Sequence, residues 1–245
     1  MTRPSAAADG RDVILLNGWG INGGVWAELA AILGPDCRLH CVDATADMDA
    51  RHAWACKMAA LNLEEATICG WSLGGQLALR LALTLRHQIG RVILIATTPR
   101  FLNGADWRCG MDTLVFDAFA SDLQRAPHET LLRFAALQAR GDTAARDVTR
   151  RLRKCIARAE PDCATLARGL QLLKDTDLRA DLAQITQPVL ILQGDRDSVV
   201  CFEAARYLER KLRHAKLQTI AGAAHAPFIS YPATVARHIS AFVHG

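Results

Sequence analysis

The chain has 245 residues, of which 51% are hydrophobic and 22% charged. This composition is that of an ordinary globular protein and excludes a disordered chain, a collagen and a coiled coil. The 29 basic and 25 acidic residues leave a net charge of +4, which is too small to indicate a nucleic acid partner. The eight cysteines form no C-x-x-C pair and no zinc-ligand spacing, so we expect reduced thiols and no metal.

The N-terminal segment and the apolar runs bear on localisation. The first ten residues lack the apolar stretch of a signal peptide, and no run approaches the roughly 20 apolar residues that a membrane-spanning helix needs. We therefore expect a soluble, cytoplasmic protein with no membrane partner.

Strand-like and helix-like segments alternate through the first hundred residues. The run VILIAT (92–97) is continuously apolar or β-branched, which is typical of a parallel strand covered by helices on both faces. The pattern therefore predicts a parallel sheet with strands at 13–16, 38–42, 66–69 and 92–97 and helical segments near 25–33, 51–61 and 76–86.

The second half of the chain returns to the same pattern after a helical block. Apolar residues recur at helical spacing from about 112 to 173, and the strand-like runs 188–194 and 217–220 follow, each before a helical segment. We predict a single α/β domain over 1–245, with a core formed by 1–99 and 188–245. The helical insertion, about 100–187, would cover the carboxyl ends of the strands as a lid, where open α/β sheets bind ligands.

A candidate nucleophile lies in the segment GWSLG (70–74), which fits the pattern G-x-S-x-G. The segment follows the apolar run 66–69 and precedes a helix rich in small residues, the context in which a serine occupies a sharp strand-to-helix turn. Such a turn needs small flanking residues because neighbouring chain passes close by. We interpret Ser72 as the nucleophile.

A serine nucleophile needs a general base and a carboxylate that orients it. Among eight histidines, His225 is the best candidate because it lies in the loop-like segment GAAHAP just after the last predicted strand. The loop after strand 188–194 offers two carboxylates, Asp195 and Asp197. The order Ser72, Asp197, His225 is the one that α/β-hydrolases use.

The tetrahedral intermediate of acyl transfer needs at least two hydrogen-bond donors for its oxyanion. The backbone N–H of Leu73 is one candidate. The turn NGWG (17–20) after the first strand supplies the other through the N–H of Trp19, although an ordinary glycine turn is the alternative interpretation.

These segments together resemble the α/β-hydrolase superfamily, and more closely its BioH family of carboxylesterases of biotin synthesis. The resemblance extends over nearly the whole chain. The stretches that carry it are LLNGWGINGGVW (15–26), GWSLGGQLAL (70–79), RFAALQARGDTAARD (133–147), LQLLKDTDLRADL (170–182) and GAAHAPFISYP (222–232).

The resemblance implies an α/β-hydrolase fold, a mostly parallel sheet flanked by helices with an all-helical lid. It implies a serine carboxylesterase that hydrolyses the methyl ester of pimeloyl-acyl-carrier protein, without a cofactor. The family's nucleophile, acid and base fall on Ser72, Asp197 and His225, with Asp195 as the second choice of acid. Its oxyanion donors fall on Trp19 and Leu73, and its substrate-binding residues on Trp19, Phe134 and Gln138.

The sequence departs from the family pattern at three places. The usual histidine of H-G-W-G is Asn17, the loop after the second strand is a short stretch over 43–47, and Cys201 replaces the proline of G-x-x-D-x-x-V-P. Since the oxyanion donor is a backbone N–H, we expect its geometry to survive the first change. The shorter loop would shorten one wall of the cleft.

Basic residues are concentrated in the predicted insertion. Residues 125–158 contain nine Arg or Lys against three acidic residues. A surface of one sign would attract an acidic acyl carrier protein and its phosphopantetheine phosphate. The resemblance implies this role for Arg133, Arg146 and Arg150, while a solvated basic helix face is the alternative.

Two other functions remain open from the sequence. One is a promiscuous short-chain esterase, lactonase or thioesterase with the same three residues, and the other is a non-catalytic binding protein of the same fold. The presence of Ser72, Asp197 and His225 disfavours the second.

Overall fold

The computed structural model describes residues 11–34, 36–42, 63, 65–157 and 162–245. Within these residues six parallel strands form one sheet in the order β2-β1-β3-β4-β5-β6. The predicted parallel α/β sheet is confirmed. The strands are β1 (Arg11–Leu16), β2 (Cys37–Val42), β3 (Ala66–Trp71), β4 (Ile89–Ile95), β5 (Val189–Gly194) and β6 (Ala215–Ile220).

The interior strands are buried on both faces because helices cover the sheet on each side. Every residue of β3 and of β5 is buried, whereas the edge strands β2 and β6 expose part of their length. Continuous apolar sequence is what such doubly covered parallel strands require. Because the strands are parallel, the carboxyl ends of β1, β3, β4 and β5 lie side by side along one edge of the sheet.

Helices occupy most of the remaining described chain. The predicted helix at 51–61 and the short loop at 43–47 lie outside the described residues. Two short 3-10 helices span Gly23–Trp26 and Leu182–Gln184. The α-helices are α1 (Ala27–Leu33), α2 (Leu73–Thr84), α3 (Thr113–Arg125), α4 (Pro127–Gln138), α5 (Ala145–Ala157), α6 (Cys163–Asp175), α7 (Phe202–Lys211), α8 (Pro227–Ser230) and α9 (Pro232–His244).

Helices α3 to α6 lie between β4 and β5 and are called here the helical insertion. Asp112 caps α3, since its side chain accepts hydrogen bonds from the N–H groups of Leu114 and Val115. Asp162 caps α6 in the same way. These aspartates satisfy N–H groups that a helix start otherwise leaves without partners.

The segment that leads into the insertion is hydrogen-bonded to the segment that leads out of it. Leu178 N–H donates to the carbonyl of Pro99 at 3.0 Å, and Arg100 pairs with Asp177 at 3.2 Å. A side-chain hydrogen bond from Arg179 lowers the pKa of the Asp177 carboxyl. These contacts bring the insertion's entry and exit together beside β4.

No helix in the described part of the chain is long and apolar enough to cross a membrane.

Candidate active site

Ser72 occupies a one-residue turn between β3, which ends at Trp71, and α2, which begins at Leu73. Its backbone has φ +55° and ψ −118°, a conformation that costs energy for any residue with a side chain. The turn is held by main chain, since Ser72 N–H donates to the carbonyl of Ile95 at 2.9 Å. The geometry is that of a nucleophile elbow.

Glycines on either side of Ser72 are required by close backbone packing. A Cβ on Gly70 would collide with the main chain of Gly74, and a Cβ on Gly74 would collide with the carbonyl oxygens of Leu16 and Asn17. The second contact presses the start of α2 against the end of β1. It therefore brings the serine turn next to the turn that follows β1.

Asp197 and His225 form a buried pair. His225 Nδ1 lies 2.8 Å from Asp197 Oδ2, and the two side chains are 1% and 0% exposed. The other carboxylate oxygen accepts the N–H groups of Val199 and Val200 at 2.8 and 3.0 Å. Since the carboxylate accepts, the proton of a neutral imidazole sits on Nδ1 and the lone pair is on Nε2. The buried Nε2 has no hydrogen-bond partner among the described residues, so it is open to a proton from a nucleophile or a substrate.

Trp71 joins the serine turn to the histidine loop. Its indole Nε1 donates to the carbonyl of His225 at 2.8 Å, and its ring centroid lies 5.7 Å from that of the imidazole. Because Trp71 directly precedes Ser72, this contact fixes the two loops relative to each other. The sequence pattern leaves this residue unspecified as the x of G-x-S, so the motif gave no signal for it.

The two candidate carboxylates have different tasks in the structure. Asp195 Oδ1 accepts the N–H of Gly222 at 2.7 Å, which supports the start of the histidine loop. Only Asp197 of the two contacts the imidazole of His225. The structure therefore brings together the first choice of acid and the predicted base.

The predicted oxyanion donors lie on the two turns that the Gly74 contact brings together. Leu73 is the first residue of α2, a position whose N–H has no carbonyl partner within the helix. Trp19 lies in the turn after β1. Asn17, which replaces the family's histidine, closes this turn by donating from its side chain to the carbonyl of Ile21. Asn17 thus anchors the turn after β1 even though it replaces the histidine.

The side chain of Trp19 belongs to an aromatic cluster with the insertion. Its ring centroid lies 5.5 Å from those of Phe119 and Phe134, both in edge-on arrangements. Its indole Nε1 donates to the carbonyl of Leu166 in α6 at 2.9 Å. The aromatic cluster therefore fastens the turn after β1 to three helices of the insertion.

Gln138 lies at the end of α4, beside the histidine. Its carbonyl accepts the N–H of His225 at 3.1 Å. The residue is 2% exposed, and its side-chain amide Nε2 has no partner among the described residues. A buried amide donor without a partner is energetically costly.

Two residues beside the site were missed by the sequence analysis. Gln193 Nε2 donates to Asp197 Oδ2 at 2.9 Å and to the carbonyl of Val200 at 3.2 Å. Asp142 Oδ2 accepts the N–H of Ala224, next to His225, at 2.8 Å. Gln193 could have been found as the polar residue that ends the apolar run VLIL, whereas no local signal marks Asp142.

The three arginines predicted to contact a carrier protein have different surroundings. Arg133 pairs with Asp122 at 3.0 Å, and Arg150 pairs with Asp147. Within the described residues Arg146 has no carboxylate partner. It is exposed and lines an open groove of about 460 Å³ on α5, together with Ala145, Thr149, Arg150 and Arg153. Positive charge is therefore least neutralised around Arg146.

Cys201 replaces the expected proline at the end of the Asp197 loop. Its thiol donates to the carbonyl of Cys109 at 3.3 Å, which connects this loop to the chain that precedes α3. Burial raises the pKa of the Cys201 thiol to about 11, so the group is a neutral thiol at neutral pH. Among the described residues, His, Cys, Asp and Glu form no group of three or more that would bind a metal ion.

Comparison with known proteins identifies the class to which this fold and site belong. Residues 13–238 match the model of the alpha/beta hydrolase family. The chain therefore belongs to the alpha/beta hydrolase family.

Curated relatives point to a narrower group. A pimeloyl-acyl-carrier protein methyl ester esterase of Nitrosomonas europaea is 37% identical over 91% of this chain and 92% of its own length. A protein of the same name from Xanthomonas campestris pv. campestris is 38% identical over 96% of this chain and 95% of its own length. These relatives bear out the resemblance to the BioH family that the sequence segments indicated.

Solved structures agree on the fold. An esterase from Exiguobacterium antarcticum superimposes with a TM-score of 0.86 at 20% identity, covering 98% of this chain and 94% of the other. An enol-lactonase from Burkholderia xenovorans superimposes with a TM-score of 0.83 at 20% identity, covering 97% and 92%. At this identity the likeness concerns the fold alone.

Proposed function

We propose that this protein is a serine carboxylesterase that hydrolyses the methyl ester of pimeloyl-acyl-carrier protein, releasing methanol and the free pimeloyl carboxylate. The observation that carries the proposal is the buried Asp197–His225 pair, joined through Trp71 to the strained turn of Ser72. Relatives at 37% and 38% identity, matched over more than nine tenths of their length, bear the name of this activity.

The reaction begins at Ser72. Its Oγ attacks the ester carbonyl while His225 Nε2 takes the hydroxyl proton. Asp197 orients the imidazole and stabilises the imidazolium through the 2.8 Å hydrogen bond to Nδ1. The negative charge that develops on the carbonyl oxygen is bound by the N–H groups of Trp19 and Leu73.

The tetrahedral intermediate then collapses in favour of the acyl-enzyme. His225 returns its proton to the leaving oxygen, and methanol departs. A water molecule, activated by the same imidazole, attacks the acyl-enzyme and regenerates the Ser72 hydroxyl with the free carboxylate as product. No cofactor takes part in this sequence of steps.

The aromatic cluster and Gln138 support a role for the helical insertion in enclosing the substrate. Phe134 and Trp19 would line the acyl chain with apolar rings, and the unpartnered amide of Gln138 would donate to a substrate oxygen. The insertion supplies Phe134 and Gln138, so substrate would be held between it and the sheet.

The basic groove on α5 supports an acyl carrier protein as the partner that presents the substrate. Its chemistry suits a strongly acidic protein and a phosphate group, because the arginine forks bind anionic oxygens in pairs. A carrier-bound chain contains a thioester as well as the methyl ester. Docking on the insertion would hold the thioester outside while the chain length places the distal ester beside Ser72.

The test compares methanol release from pimeloyl-acyl-carrier protein methyl ester with hydrolysis of p-nitrophenyl acetate, with Ser72→Ala as the control. We expect Ser72-dependent release with a kcat/KM for the carrier substrate well above that for the small ester. Cleavage of the small ester alone would reject the carrier substrate and favour a general esterase. Activity that survives Ser72→Ala would reject the serine mechanism itself.

A further inference from the structure

The turn between α4 and α5, residues 139–144, touches both loops that carry the acid and the base. This α4–α5 turn belongs to the helical insertion, whereas the two loops follow β5 and β6 of the sheet. A lid that only covered substrate would need no fixed bonds to the general base. The contacts between the α4–α5 turn and these two loops therefore indicate whether the insertion also positions the acid and the base.

The strongest contact is made by Asp142. This residue is buried, with 7% of its surface exposed, and its two carboxylate oxygens have separate partners. Oδ1 accepts the N–H of Ala144 at 2.8 Å, which fixes the carboxylate at the start of α5. Oδ2 accepts the N–H of Ala224 at 2.8 Å, so it bonds the residue that directly precedes His225.

Neighbouring residues reinforce the same link. The N–H of His225 itself donates to the carbonyl of Gln138 at 3.1 Å. Thr143 N–H donates to the carbonyl of Gly222 at 3.0 Å, and its hydroxyl lies 2.6 Å from that of Tyr231. The main chain from 222 to 225 is thus held by the insertion at three positions.

The loop of Asp197 is attached to the same segment. Arg196 donates to the carbonyl of Gly141 at 3.2 Å, and the Ser198 hydroxyl donates to the carbonyl of Leu137 at 3.4 Å. These two residues flank Asp197 on either side. The α4–α5 turn and the last residues of α4 therefore bond the loops that carry both partners of the buried acid–base pair.

We infer that the α4–α5 turn orients the general base, with Asp142 as its positioning residue. A charged acceptor gives a stronger hydrogen bond to a backbone N–H than a carbonyl does. Loss of that acceptor would leave the Ala224 N–H buried without a partner and release the chain that sets the direction of His225 Nε2. The inference rests on the proposed role of His225.

The experiment uses the full chain and a small ester, so that carrier binding does not enter. Asp142→Ala removes both acceptors, while Asp142→Asn keeps the size of the side chain and one acceptor oxygen. Asp117→Ala is the matched control, because that carboxylate also lies in the insertion but bonds only Lys174 of α6 among the described residues, at 3.1 Å. Each variant is measured for kcat and KM with p-nitrophenyl acetate and for its unfolding temperature.

We expect kcat to fall about 10- to 100-fold in Asp142→Ala with KM within about twofold, because a displaced base slows chemistry without weakening ground-state binding. Asp142→Asn should recover part of that loss, and Asp117→Ala should leave kcat within about twofold. If Asp142→Ala does not fold, the kcat of Asp142→Asn relative to Asp117→Ala decides.

An unchanged kcat in folded Asp142→Ala, or in Asp142→Asn where the alanine variant does not fold, would overturn the inference. So would a loss that lies entirely in KM. Ser72→Ala is measured in parallel, since unchanged activity there would overturn the serine mechanism and this inference together. A loss in Ser72→Ala without a loss in Asp142→Ala would overturn the positioning role alone.

Discussion

The turn of Ser72 and the loops of Asp197 and His225 are held in place by different kinds of interaction. The serine turn is fixed by steric contact of main chain with main chain, at glycines 70 and 74. The two loops are fixed by hydrogen bonds to buried polar side chains, chiefly Gln193, which donates to Asp197, and Asp142, which accepts from Ala224. The turn of Ser72 is therefore sensitive to added volume, and the Asp197–His225 pair to lost donors and acceptors.

The largest effect is expected from the acid of the buried pair. Asp197→Asn should lower kcat about 10⁴-fold, because the amide donates where the imidazole needs an acceptor and so favours the wrong tautomer. The measurement is kcat with p-nitrophenyl acetate. Asp195→Asn is the matched control, since Asn can still accept from Gly222, and its loss should stay below about tenfold. A loss of kcat that is larger in Asp195→Asn than in Asp197→Asn would reverse the assignment of the acid.

The serine turn is tested by added volume. Gly74→Ala should lower kcat by about 100-fold or more and the free energy of unfolding by about 3 kcal/mol, because its Cβ meets the carbonyls of Leu16 and Asn17. Denaturant unfolding and small-ester kinetics measure both. Gly24→Ala, at an exposed position of the 3-10 helix Gly23–Trp26, meets the side chain of Asn22 and should cost about 1 kcal/mol or less. Equal effects in the two variants would contradict the steric account.

The acid loop is tested by removing a donor without changing volume. Gln193→Met should lower kcat about tenfold with KM within about twofold, because Asp197 Oδ2 and the Val200 carbonyl both lose a hydrogen bond.

Gln187→Met is the control for Gln193→Met. Gln187 is also a buried glutamine, and its Nε2 donates to the carbonyl of Ala82 at 3.0 Å, away from the site. We expect both variants to lose comparable unfolding free energy, while only Gln193→Met loses kcat. Equal kinetic losses would show that Gln193 acts through stability alone.

The most limited effect is expected at the surface of the insertion, since it should concern the carrier substrate alone. Arg146→Glu should lower kcat/KM for the carrier substrate about tenfold, because Arg146 has no carboxylate partner within the described residues. The small ester should be hydrolysed at an unchanged rate. Arg133→Glu should cost less, since Asp122 already neutralises part of its charge. Arg210→Glu, the same charge change at an exposed position of α7, is the control, and an equal loss there would show that only the net charge matters.

The residues that the sequence could single out are those with a local signature. Ser72 is marked by the pattern of residues 70–74, and His225 by its place in the loop after the last strand. The apolar run 13–16 predicted β1 two residues too short, because Arg11 and Asp12 pair with β2 in the exposed first part of the strand.

The contacts that were missed depend on chain segments that meet only in the folded protein. Asp142 bonds Ala224, which lies 82 positions further along the chain. The charge count over 125–158 found the basic surface, yet it missed that Arg133 is paired with Asp122, just outside that range. Side-chain pairing follows from helix packing, which no local pattern encodes.

The hydrogen bond from Trp71 to the carbonyl of His225 joins residues 154 positions apart. Closing so long a loop is among the later and slower events as a chain folds. His225 lies late in the chain, whereas Trp71 and Gln138, which bond its main chain, come from the first and middle parts. Recovery of esterase activity during refolding therefore reports the completion of folding, whereas recovery of helix content reports only its local steps.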